Sequence, residues 1–80
     1  MTEADIRSFL KTVAPTIDWD SVGADDDLAD AGLDSLDKAS LIMDLEAAAG
    51  VKIDDARYDE LATISDLLKA AGGPVSGNVV

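Results

Sequence analysis

The sequence predicts an all-α domain: a small four-helix bundle with a short third helix and a long loop between helices one and two. Three observations carry this expectation. Apolar residues recur at helical spacing, Thr or Asp stands at the candidate helix starts, and Pro15, Gly50 and Gly72 follow three of the helix ends. The 80 residues suffice for one thin core, and an apolar content of 48% is that of a folded domain rather than a disordered tail.

In the first element, Ile6, Phe9, Leu10 and Val13 lie at i, i+3, i+4 and i+7, behind Thr2 and Asp5 placed as an N-cap and its N3 acid. The predicted helix runs from about Thr2 to Ala14, and Pro15 closes it. From Ala14 to Asp34 the periodicity lapses. Gly23, Gly32 and scattered acids surround isolated apolar residues, Ile17, Trp19, Val22, Leu28 and Leu33, which reads as a long loop pinned by apolar anchors. A loop of that length without regular structure of its own points to a function at its far end, where Ser35 stands.

The second helix, Ser35 to Ala49, is apolar on more than one side. Leu41, Leu45 and Ala48 form the stripe expected to face the core. Leu36, Ala39 and Met43 form another, edged by Asp37, Asp44 and Glu46. Two readings of this second stripe stay open: packing against the loop or a later helix, or an exposed docking surface, for which flexible Met43 among acids is suited. Beyond Gly50, Val51 and Ile53 dock the chain, and Asp54 or Asp55 caps a short helix that bears Tyr58 and ends near Glu60. Thr63 and Asp66 repeat the cap-plus-acid spacing, Leu67, Leu68 and Ala71 give the last helix its buried face, and Gly72, Gly73 and Pro74 stop it. Residues 1–72 are thus one domain and residues 73–80 a flexible tail without periodicity.

Composition removes whole classes of function. Six basic residues against 17 acidic ones leave a net charge of −11, which repels nucleic acid and anionic membrane surfaces and attracts partners with basic patches. Without Cys or His there is no Ser-His-Asp triad, no thiol catalysis and no thiolate or imidazole metal site; carboxylates remain that can do acid and base work, but 17 of them on so small a surface are adjacent by chance and most are simply solvated. Asp18, Asp20 and Gly23 imitate the start of a calcium loop, but Val22 and Ala29 occupy its fifth and twelfth positions, so no dedicated metal site is expected. Asp25, Asp26 and Asp27 would attract divalent ions only weakly and without specificity. The start Met1-Thr2-Glu3-Ala4-Asp5 lacks the basic region of a signal peptide, and no segment approaches the roughly 18 apolar residues of a membrane span. The expectation is a cytoplasmic monomer.

Ser35 stands out against this background. A Ser at a helix start ordinarily caps it, but here Asp34 can do so, with Asp37 following at N3 spacing. Ser35 then falls in the first turn with its hydroxyl outward, where a phosphodiester would be stabilised by the free N–H groups and the positive helix end. That geometry favours a phosphorylated or phosphopantetheinylated serine.

The segment Asp34-Ser35-Leu36-Asp37, followed by Leu41-Ile42-Met43-Asp44-Leu45-Glu46, resembles the attachment region of acyl carrier proteins, and the likeness extends over about residues 3 to 71. The resemblance implies a discrete acyl carrier protein. Its Ser35 would receive 4′-phosphopantetheine from coenzyme A through a magnesium-dependent phosphopantetheinyl transferase, and acyl groups would ride on the arm as thioesters. Such a protein catalyses nothing and presents its cargo to acyl-loading and acyl-transferring enzymes with basic patches. The absence of Cys is chemically coherent with this, since a native thiol could capture the cargo by exchange.

Position by position, Leu36, Asp37, Met43 and Glu46 match partner-facing residues of that family and Asp34 the acid before the modified serine. Ala39 and Asp44, from the same stripe and its edge, complete the expected partner-binding set. The departures are Ser40, with Lys38 nearby, and Ala47 and Ala48 where many fatty-acid carriers have acids, so the docking face is less acidic. Ala49 replaces a large aromatic, leaving volume for Trp19, Phe9 or Tyr58 to fill, or open for cargo. These departures favour a specialised pathway, such as polyketide, modified-lipid or aminoacyl transfer, over housekeeping fatty-acid synthesis. The rival from another class is an acidic interaction domain that binds a partner helix through Leu36, Ala39 and Met43 and carries no prosthetic group.

Overall fold

The computed structural model describes residues 1–72, which form the helices α1 (Glu3–Val13), α2 (Leu28–Ala31), α3 (Ser35–Ala49) and α4 (Ile64–Ala70), with 3-10 turns at Trp19–Ser21 and Asp55–Glu60. The all-α expectation holds. At the head of α1 the Asp5 N–H donates to Thr2 Oγ1 at 3.3 Å and the Thr2 N–H to Asp5 Oδ2 at 2.9 Å, a reciprocal capping box. Thr63 and Asp66 repeat it at α4, with bonds of 3.1 and 3.2 Å. Both boxes stand at the positions the spacing predicts.

α1 packs against α3 and α4, and the core lies between them. Ile6 and Leu10 of α1, Leu41, Ile42 and Leu45 of α3, and Ile64 and Leu67 of α4 are fully buried. Leu68 is only partly buried, so Ile64 rather than Leu68 completes the inner face of α4 with Leu67 and Ala71. Ala48 departs from expectation: it is exposed, and Ile42 joins Leu41 and Leu45 in the buried stripe. Although Ala48 is in line with Leu41 along the helix, it opens onto a groove of about 510 Å³ whose walls include Phe9, Ala49 and Ala71. Small side chains at 48 and 49 leave that groove unfilled. Trp19 is buried elsewhere, and Tyr58 lines a different groove beside Glu46.

The stretch between α1 and α3 is not the featureless loop that its sequence suggests, because it contains the Trp19–Ser21 turn and α2. Asp27 caps α2 by accepting the Ala29 N–H at 2.8 Å, and Gly32 closes it at a φ of +115°. A single helical turn shows no period, so periodicity cannot reveal it. The indole Nε1 of Trp19, itself buried, donates to the Ala14 carbonyl at 2.9 Å. The Arg7 guanidinium donates to the carbonyls of Trp19 and Val22 while pairing with Glu3. Farther on, the Leu28 N–H reaches the Ala62 carbonyl at 2.8 Å and the Ser65 N–H reaches the Ala24 carbonyl at 3.0 Å. The segment is therefore stitched first to α1 and then to the start of α4, which fixes where α3 begins.

The predicted third helix is a 3-10 turn, with i→i+3 bonds such as Arg57 N–H to the Asp54 carbonyl at 2.9 Å. Neither acid caps it as expected: Asp54 occupies the N-cap position without a side-chain bond, and Asp55 is already inside the turn. At the other end, Gly72 follows α4 at a φ of +88°, while Gly73, Pro74 and the predicted tail lie outside the described residues.

Gly32 should tolerate substitution worst among the positive-φ glycines. A Cβ there would have to adopt φ +115° and would sit 3.2 Å from Ile17 Cδ1, whereas at Gly50, at φ +69°, nothing lies within 4 Å. Gly32→Ala is expected to cost about 1–3 kcal/mol in urea unfolding and Gly50→Ala about 1 kcal/mol.

Candidate functional site at the head of α3

The chain approaches α3 through Gly32 and Leu33, the latter buried and donating its N–H to the Leu28 carbonyl at 3.0 Å. With that approach anchored, Asp34 adopts extended geometry at φ −90° and ψ 175°. Its Oδ1 accepts the Asp37 N–H at 2.8 Å and its carbonyl accepts the Lys38 N–H at 2.9 Å. Asp34 is therefore the cap, as its sequence position suggests, and Ser35 is the first helical residue. Ser35 is exposed, and its Oγ has no hydrogen-bond partner among the described residues. The N–H groups of Ser35 and Leu36 belong to the first turn, where the helix itself provides no acceptors.

Beside Ser35 lies a depression of about 220 Å³, walled by Asp27 to Ala29, Leu33, Lys38, Asp59 and Ala62. Sequence spacing could have placed Lys38 here, three residues from Ser35 on a helix. Nothing local announces Asp59 or Ala62, which come from beyond α3. An exposed, uncommitted hydroxyl, two free N–H groups and an adjoining depression suit the serine-linked end of a phosphate-bearing arm.

The remaining predicted residues divide by their places on α3. Leu36 and Met43, 80% and 63% exposed, are its large apolar side chains open to solvent, and Ser40 and Ala47 lie along the same outer stripe. The second stripe is thus exposed rather than packed on the loop or a later helix. Ala39 borders it half-buried on one side, with Asp37, half-buried, and Asp44, exposed, on the other. Glu46 is differently occupied: half-buried, its Oε2 accepts the Ile53 N–H at 2.6 Å and ties the chain after α3 to the helix. Nearby, the half-buried Tyr58 phenol is held above its usual range, first by partial burial and then by the carboxylates of Asp55 and Glu46.

The acids of the α1 to α3 connection serve the backbone and its neighbours. Asp26 accepts the Gly23 N–H at 2.8 Å, Asp27 caps α2, Asp25 accepts the Ser65 hydroxyl and Asp20 pairs with Lys11. Among the described residues no group of three or more acids is placed to hold a metal ion, and no helix is long and apolar enough to cross a membrane.

Residues 5–71 match the family described as the phosphopantetheine attachment site. The chain belongs to this family of phosphopantetheine-bearing carriers. Its prosthetic group is accordingly 4′-phosphopantetheine, covalently attached. A similar protein is an acyl carrier protein of Thermotoga maritima, 46% identical over 39 residues that make up 49% of this chain and 48% of that protein. The match thus spans about half the length of the curated relative. No solved structure matches significantly. The resemblance to acyl carrier proteins drawn from the Asp34 to Glu46 motif holds, and the all-α architecture is that of a phosphopantetheine carrier.

Proposed function

We propose that residues 1–72 form an acyl carrier domain that holds its cargo as a thioester on 4′-phosphopantetheine joined to Ser35. The observation that carries this reading is the division of labour at the head of α3, where Asp34 caps the helix and the Ser35 hydroxyl is left exposed and uncommitted. Attachment replaces the Oγ–H bond of Ser35 with an Oγ–P bond as the pyrophosphate linkage of coenzyme A breaks; adenosine 3′,5′-bisphosphate leaves and Ser35 Oγ becomes an ester oxygen of the phosphodiester. When bound, the group supplies a thiol on a long arm, the chemistry that a chain without Cys lacks. Asp34 holds the first turn in place, and the unpaired N–H groups of that turn face the new negative charge.

The partners are a phosphopantetheinyl transferase and the enzymes that load and remove the acyl group. They would meet α3 on its outer stripe, where Leu36 and Met43 supply apolar contact and Asp37 and Asp44 supply charge. Ser40 and Ala47 are exposed there in place of acids, Ala48 is exposed on the groove beside Phe9 instead, and Glu46 is engaged by Ile53. This weaker acidic edge supports a specialised pathway over housekeeping fatty-acid synthesis.

Incubation with coenzyme A, magnesium and a broad-specificity transferase is expected to add one phosphopantetheine by intact mass; an unmodified protein beside a loaded control carrier would overturn the proposal. The docking reading has its own test. Leu36→Asp and Asp37→Lys should each lower the transferase's kcat/KM about tenfold or more while changing stability by only about 0.5 kcal/mol. Glu46→Lys should behave differently, lowering stability by about 1–3 kcal/mol because the Ile53 N–H loses its acceptor. Unchanged kcat/KM in both Leu36→Asp and Asp37→Lys would place docking elsewhere.

A further inference from the structure

Resting on the assignment of the arm to Ser35, we infer that Lys38 is the cation that holds the arm's phosphodiester and directs it into the depression between α2, α3 and Asp59. Attachment adds an anion to a chain of net charge −11, at a residue flanked by Asp34 and Asp37 and facing Asp27 and Asp59 across the depression. The helix start offsets only part of that repulsion. Of its first N–H groups, that of Asp37 is already taken by the Asp34 carboxylate and that of Lys38 by the Asp34 carbonyl, leaving those of Ser35 and Leu36.

Lys38 is the basic residue that lines the same depression as Ser35. Three residues along the helix, it lies on the neighbouring face within one turn, and its half-buried position holds the stem while leaving the ammonium free to swing. Although Asp27, Asp34 and Asp59 also line the depression, Lys38 makes no ion pair among the described residues. By contrast Arg7, Lys11 and Arg57 are paired with Glu3, Asp20 and Glu60. Lys52 and Lys69 line other grooves, away from Ser35. A compact ammonium on a flexible stem is suited to one anionic phosphate oxygen. With the phosphate drawn to this side, the arm leaves Ser35 toward the depression and keeps clear of the Leu36 and Met43 stripe, so cargo and docking occupy different faces of α3.

The test compares the full chain before and after loading, using isotope-labelled lysines. At fixed pH the Lys38 13Cε resonance should move on loading, because the new anion lies beside its ammonium, while those of Lys52 and Lys69 stay put. Lys38→Gln should still load at Ser35 by mass but shift the 31P resonance of the phosphodiester from its wild-type position, and Lys38→Arg should restore most of that shift. A Lys38 response no larger than those of Lys52 and Lys69, or a 31P resonance unchanged in Lys38→Gln, would overturn the inference. Failure of the wild type to load would instead overturn the Ser35 assignment, and this inference with it.

Discussion

Ser35→Ala is expected to lose all phosphopantetheine loading and to keep its fold, with a stability within about 0.5 kcal/mol of wild type. The two halves of this outcome come from different residues. Ser35 is exposed and its hydroxyl bonds to nothing among the described residues, so its removal leaves the helix start intact. The cap resides in Asp34, whose Oδ1 accepts the Asp37 N–H at 2.8 Å. Asp34→Ala should therefore give the complementary result: a loss of about 1 kcal/mol in stability with the attachment hydroxyl still present. Mass spectrometry reads the first property and urea unfolding the second. A Ser35→Ala protein destabilised as much as Asp34→Ala would mean that Ser35 is a structural residue.

Trp19→Ala is expected to cost about 3–5 kcal/mol, the range for removing a buried aromatic. The indole is only 1% exposed, and its Nε1 donates to the Ala14 carbonyl just past the end of α1. Its loss would open a cavity and free that carbonyl at the point where the connection to α3 is pinned. Set against a total stability of about 5–15 kcal/mol for ordinary domains, this is a large fraction. Loss of most of the helical circular dichroism in low urea is the expected sign. A cost below about 1 kcal/mol would show that the connection is held without Trp19.

Much of the fold could be read from spacing because it rests on local rules. Thr2 with Asp5 and Thr63 with Asp66 are capping boxes in sequence and in space, and Ser35 to Ala49 is one helix in both. The parts that escaped depend on tertiary contact. α2 is one turn long and is held by Asp27, Gly32 and the Ala62 carbonyl, none of which creates a period. Ala48 has the spacing of a core residue but stands exposed on the wall of the groove that Phe9, Ala49 and Ala71 share. At the site, the cap-then-serine order was legible from Asp34 and Ser35 alone. The engagement of Glu46 by Ile53 was not, because a carboxylate's partner seven residues away depends on how the chain turns at Gly50. The meeting of Lys38 with Asp59 beside Ser35 likewise depends on how the Asp55–Glu60 turn packs.

In the proposed function, Asp34 holds the start of α3 so that Ser35 itself can carry the arm. The most direct measurement is the fragmentation spectrum of the peptide spanning Ser35, taken from the protein isolated from its own cells. The predicted result is 4′-phosphopantetheine, free or bearing an acyl thioester, on Ser35 and on no other residue. The arm on a different serine or threonine, or a bare Ser35 in cells whose other carriers are loaded, would contradict it.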